Sequence, residues 1–154
     1  MRKIFFILSV AALVAACGNN SADSNDVIED TTNSGPGYSW EATLNDSTGR
    51  LEVKKTETAF PDSLSVSAIL SFLNNKYTNV KVVEDKLAGD TVFVKIPEAT
   101  YLTQQMGSSG PTLYLADLVY NLTELPGIRF VYVDLEEGDH ASPGTYSRDS
   151  FKDE

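Results

Sequence analysis

Leu115-Ala116-Asp117-Leu118-Val119-Tyr120-Asn121-Leu122-Thr123-Glu124-Leu125-Pro126-Gly127-Ile128-Arg129-Phe130-Val131-Tyr132-Val133 carries two periodicities back to back. Leu115, Leu118, Val119 and Leu122 recur at i, i+3, i+4 and i+7, which makes one apolar stripe on a helix of about 3.6 residues per turn. Leu125 extends it. Pro111 stands in the first turn, where helix N–H groups have no partner to lose. Pro126-Gly127 then stops the helix, because proline offers no N–H and glycine tolerates the left-handed backbone of a helix end. Ile128 to Val133 is β-branched and aromatic, and it reads as a strand.

Working outward, Val66, Ile69, Leu70 and Leu73 repeat the stripe. Pro61-Asp62-Ser63 opens this helix, Asp62, Ser63 and Ser65 are candidate caps, and Asn74-Asn75 closes it. Val80-Lys81-Val82-Val83 and Thr91 to Ile96 are strands around a turn at Leu87-Ala88-Gly89-Asp90, ended by Pro97. Glu98 to Gln105 fits a short helical turn, and Gly107-Ser108-Ser109-Gly110 a link. Nearer the N-terminus, Trp40 to Leu44 and Leu51 to Lys55 flank the turn formers Asn45-Asp46-Ser47-Thr48-Gly49, a predicted hairpin. From Glu136 on the chain is polar and predicted as loop, with Tyr146 and Phe151 docking back. The expected fold is α+β: a single two-layer α/β sandwich in which a mostly antiparallel sheet is covered by two amphipathic helices. Each stripe buries four large side chains at about 1.5–3 kcal/mol apiece.

The first residues answer a different question. Met1-Arg2-Lys3 is basic, Ile4 to Ala16 is apolar apart from Ser9, and small residues end the run. That is the layout of a secretory signal peptide, too short for a bilayer core that takes about 20 residues. Val14-Ala15-Ala16-Cys17 resembles the lipobox of bacterial lipoproteins. The resemblance implies a diacylglycerol on the Cys17 thiol, cleavage after Ala16 and acylation of the new amine, with chains such as palmitate. Cys17 is the one cysteine, so it has no disulfide partner and no companion thiolate. Gly18 to Gly37 is rich in Asn, Ser, Asp, Thr and Gly, the composition of a flexible tether. The expected organisation is thus a signal peptide at 1–16, the lipidated cysteine and tether at 17–37, and one domain at 38–154. Gly18 follows the anchor where an Asp would resemble an inner-membrane retention signal, so the outer membrane is favoured in a cell with two.

Charge narrows the partners. The chain has 12 basic and 22 acidic residues, a formal charge of −10. Loss of Arg2 and Lys3 with the signal peptide leaves 10 basic residues and a charge of −12. Nucleic acid demands basic patches, so it is excluded as a partner class. Acidity of this kind serves solubility first, and a cationic partner second.

The run Leu118 to Ile128 resembles the helix-to-strand signature L-V-Y-T-L-T-x-x-P-G-V of the GerMN domain, found in envelope lipoproteins related to sporulation and germination. Thr91 to Ile96 and Met106-Gly107-Ser108-Ser109-Gly110 resemble the strand and link before it, and the likeness spans roughly Phe60 to Asp139. Asp117 departs from the pattern, which commonly has Gln there, and Glu137-Gly138 matches its aspartate-glycine only loosely. The resemblance implies a compact fold similar to ring-building motifs, used for protein contact and not known for catalysis.

Catalytic constellations are sparse. His140 is the one histidine, and no Ser sits in a G-x-S-x-G elbow. Glu136, Glu137, Asp139 and His140 allow a mixed metal site, although a solvated polar turn is the plainer reading. No G-x-x-x-x-G-K-[ST] or G-x-G-x-x-G motif calls for a nucleotide or other cofactor. Tyr38 and Trp40 can stack on a glycan or pack as core. Leu113, Tyr114 and Tyr120 lie off the stripe of their helix, where they cover the sheet margin or meet a partner. The expectation is a non-enzymatic, lipid-anchored envelope protein that contacts another envelope protein or itself, with Trp40, Tyr114 and Tyr120 as contact residues. The alternative is binding of cell-wall glycan or another small ligand through Trp40 and neighbouring tyrosines.

Overall fold

The computed structural model describes residues 38–60 and 64–152 of the chain. The signal peptide, Cys17, the tether and the candidate caps Asp62 and Ser63 lie outside them. In chain order come β1 (Tyr38–Leu44), β2 (Leu51–Ala59), α1 (Val66–Lys76), β3 (Val83–Ala88), β4 (Thr91–Ile96), α2 (Gly110–Leu122), β5 (Phe130–Leu135) and β6 (Gly144–Tyr146). A single π turn (Tyr101–Gln105) precedes α2, and a 3-10 turn (Arg148–Phe151) follows β6.

The architecture is α+β. Four strands form one sheet in the order β3-β4-β5-β6. β4 and β5 run parallel, and the other two pairs are antiparallel. A parallel neighbour requires a long crossover, which the π turn and α2 supply. On β4 and β5, Val92, Val94, Ile96, Val131, Val133 and Leu135 alternate inward and are buried with the stripes of both helices. In α1 the buried residues include Ile69, Leu70 and Leu73, as the periodicity predicts, and Ser65 caps the helix by accepting from Ala68 N at 3.2 Å.

Two differences from the sequence reading have physical causes. The predicted strand at Val80–Val83 begins only at Val83. Val82 is instead held by Asn74, whose Nδ2 donates to Val82 O and whose Oδ1 accepts from Val82 N, both at 2.9 Å. That one amide takes both backbone groups a neighbouring strand would need, and α1 itself runs past Asn74 to Lys76. Second, the described residues build two sheets where one was expected, since among them β1 and β2 pair only with each other. Their hairpin packs on α2, chiefly through β1. Helix α2 is consequently buried beyond its stripe, with Tyr114, Ala116, Asp117 and Asn121 all enclosed.

The C-terminal segment is more ordered than a polar loop. β6 adds a short strand to β5, Phe151 is buried, and Tyr146 stacks on it at 6.3 Å between centroids.

Candidate functional site

At about 100° per residue, Asp117, Asn121 and Glu124 form a polar row on α2 and its C-terminal extension, roughly opposite the apolar stripe. The row faces β1. Asp117 Oδ1 accepts from Ala42 N at 2.6 Å, Asn121 Oδ1 from Trp40 N at 2.8 Å, and Asn121 Nδ2 donates to Trp40 O at 2.9 Å. Glu124 Oε2 accepts from the Trp40 indole N–H at 2.9 Å. Side chains of a helix thereby satisfy strand backbone groups that have no partner strand on that side.

Asp117 is fully buried, and its other oxygen accepts from Lys76 Nζ at 2.9 Å and from the Tyr77 hydroxyl at 2.6 Å. Lys76 also pairs with Glu41 at 2.9 Å. Burial pulls the Lys76 ammonium down, but the hydrogen bonds to Asp117 and Glu41 outweigh it and leave the group above its ordinary value. Burial, with the adjoining charge of Asp117, pushes the Tyr77 hydroxyl far up.

The Trp40 ring is contacted by three neighbours. Arg148 lies 4.8 Å and Lys55 Nζ 5.7 Å from its centroid, and the Tyr120 ring is 5.4 Å away. Arg148 also donates through Nε to Thr123 Oγ1 at 2.8 Å, and through Nη2 to Tyr120 O at 3.0 Å and Glu124 at 3.1 Å. Glu124 is gathered in by Lys55, Trp40 and Arg148 together. Burial raises its carboxyl, yet these three donors more than offset that and hold it below the ordinary carboxylate value. The cluster braces β1, the end of α2 and the 3-10 turn.

Trp40 and Tyr120, both expected as contact residues, are thus brought together and partly exposed. Tyr114 is not with them. It is fully buried, edge-on to Tyr77 at 5.0 Å, and cannot meet a partner in this fold. Its hydroxyl has no hydrogen-bond partner among the described residues.

On the other face of the four-stranded sheet, Phe93 of β4 and Tyr132 of β5 are register partners with centroids 5.4 Å apart, both partly exposed. Lys86 lies 4.7 Å over Phe93, and Lys95 pairs with Asp134 at 3.2 Å beside them. At the edge strand β3, Val83 is 46% exposed.

A solved structure, the tandem GerMN domains of the sporulation protein GerM from Bacillus subtilis, is similar at 14% identity and a TM-score of 0.45. The match covers 73% of this chain and 45% of that one, so this chain spans less than half of that structure's length. No protein-family pattern and no curated protein sequence matches the chain. GerMN is the family whose helix-to-strand signature the run Leu118 to Ile128 resembles. Asp117, the departure from that signature, is the buried carboxylate joining α1, α2 and β1.

His140 is exposed in the loop after β5, where its backbone N–H donates to Thr103 O at 3.1 Å. Among the described residues no three His, Cys, Asp or Glu side chains gather as metal ligands would. Gly138 in the same loop lies so close to Thr103 that a Cβ would stand 2.6 Å from Thr103 Cβ. No described helix is long and apolar enough to cross a membrane.

Proposed function

We propose that this chain is a non-catalytic envelope lipoprotein, held to the membrane by lipid on Cys17, whose α+β domain contacts another envelope protein or assembles with itself. The observation that carries the reading is the outer sheet face, where the partly exposed pair Phe93–Tyr132 and Lys86 form an aromatic and cationic surface beside exposed Val83. Aromatic side chains are among the residue types enriched in protein interfaces. Membrane anchoring supplies the rest, because confinement raises the effective concentration of both partners without any new contact. The outer membrane is the favoured location in a cell that has two.

Chemical crosslinking in intact cells, followed by purification and mass spectrometry, tests the proposal. The expected result is one envelope protein, or a second copy of this chain, crosslinked next to β3 or the outer face and lost in a Phe93→Ser/Tyr132→Ser variant that still folds. Recovery unaffected by that double substitution would sink the surface assigned. Cys17→Ala is expected to leave the protein unlipidated, read as a mass lacking acyl chains and as release from the membrane fraction.

Glycan binding is the second reading. Trp40 lines a groove of about 400 Å³ with Ser39, Thr56, Thr58, Phe72 and Lys76, where hydroxyls and an aromatic edge adjoin. Saturable binding to purified wall material, abolished by Thr56→Val, would move the assignment to it.

A further inference from the structure

We infer that the groove between the start of β5 and the 3-10 turn is a binding site for an acidic peptide segment of a partner protein, which deepens the protein-contact reading and rests on it. Four arginines occur in the whole chain, and two of them, Arg129 and Arg148, line this one groove of about 390 Å³. Asp149 also lines it, but its carboxylate is paired with Lys152. In a chain of formal charge −10, this concavity presents two guanidiniums, each paired with a carboxylate outside the groove lining, Asp90 or Glu124.

Both arginines are held in place with donors to spare. Arg129 is tied to Asp90 through Nε at 2.8 Å, and Arg148 to Thr123, Tyr120 and Glu124 through Nε and Nη2. The Nη groups of Arg129 and Nη1 of Arg148 make no hydrogen bond among the described residues. A guanidinium anchored on one side and open on the other is pre-organised for a carboxylate, whose two oxygens match its planar fork. Apolar side chains of the groove fix the rest of the ligand. Ile128 and Phe130 line it, and Phe130 shares one face of β5 with Tyr132, since strand residues two apart point the same way. The site therefore continues into the outer face with Phe93 and Tyr132. Its occupant carries a Glu or Asp at the arginines and an apolar residue beside it.

The test uses the full chain in non-ionic detergent and a labelled, end-blocked peptide, Glu-Leu-Glu-Leu-Glu, read by fluorescence anisotropy. Its Gln-Leu-Gln-Leu-Gln counterpart is the control. Saturable binding of the acidic peptide alone is expected, weakened about fivefold by Arg129→Gln, the size of one exposed charged contact. Arg129 is the clean position because its side chain is 70% exposed and braces no part of the Trp40 cluster. Arg50→Gln, in the β1–β2 turn, is expected to change nothing. Equal binding of both peptides, equal effects of Arg129→Gln and Arg50→Gln, or competition by free acetate at matched carboxylate concentration would each overturn the site. A crosslinked partner recovered from cells despite such a result would leave the protein-contact reading standing without it.

Discussion

Asn121 grips Trp40 by both of its backbone groups, accepting from the N–H at 2.8 Å and donating to the carbonyl at 2.9 Å. A neighbouring strand would make the same two bonds. A two-stranded hairpin alone is marginal in water, so β1–β2 owes its stability to this docking. Asn121→Ala leaves two part-buried backbone groups unpaired at a cost of about 2–3 kcal/mol. Denaturant unfolding should read that loss, and native-state hydrogen exchange should place it first at the Trp40 and Ala42 amides. Unchanged protection there would show that the hairpin is held by other contacts.

The charged part of the docking sets a pH window. Glu124 is held below its ordinary 4.5, so the folded state binds its proton more weakly than the unfolded chain does. Its contribution is present above 4.5 and is lost as pH falls through the lower folded value. Lys76 is held above its ordinary 10.5, so its contribution is present below 10.5 and lost as pH rises through the folded value. Thermal melts should therefore weaken on both flanks. Glu124→Gln should flatten the acid flank while leaving the alkaline one unchanged; an acid flank as steep as the wild type would refute the assignment.

Tyr77 and Tyr114 touch edge to face, yet their hydroxyls have opposite fates. That of Tyr77 donates to the buried Asp117 carboxylate at 2.6 Å, whereas that of Tyr114 is enclosed without a partner among the described residues. Tyr77→Phe removes a donor from a buried charge and should cost about 1.5–3 kcal/mol. Tyr114→Phe keeps the ring contact and removes a desolvated hydroxyl, so stability should hold or rise by up to about 1 kcal/mol. The two variants measured side by side in urea give the comparison its force: equal losses would mean that the Tyr114 hydroxyl is bonded after all.

The helix α2 shows what a single sequence reveals and what it hides. Leu115, Leu118, Val119 and Leu122 announce the face turned to the sheet because burial on one side imposes the helical period. Asp117, Asn121 and Glu124 have the same helical spacing, but their polarity gives no sign of a second packed face. What covers them is a hairpin 75 to 84 residues away in the chain, and no local pattern encodes that meeting. Tyr114 was misplaced for the same reason, since lying off one stripe does not mean facing water when a helix is covered on two sides. Trp40 and Tyr120 were visible as aromatics, but only the fold brings their rings to 5.4 Å and adds Arg148 from a segment that reads as polar loop. The parallel pairing of β5 with β4 has no local signature either, and the expectation extends only to a mostly antiparallel sheet.

Gly138 offers the sharpest steric test. A methyl group there would stand 2.6 Å from Thr103 Cβ and 2.7 Å from Thr103 Oγ1, closer than real Cβ contacts come. Thr103 has little freedom to yield, being buried and bonded through Oγ1 to Ala99 O at 3.0 Å. The backbone of the loop after β5 has to move instead, and with it the bond from His140 N to Thr103 O. Gly138→Ala should cost about 1–3 kcal/mol, the usual penalty of forcing extra volume into packed structure. Gly144→Ala, where nothing lies within 4 Å of the added Cβ, should be near neutral and serves as the control. Equal melting temperatures for the two variants would mean that this loop opens freely and that its contact with the π turn contributes nothing to the fold.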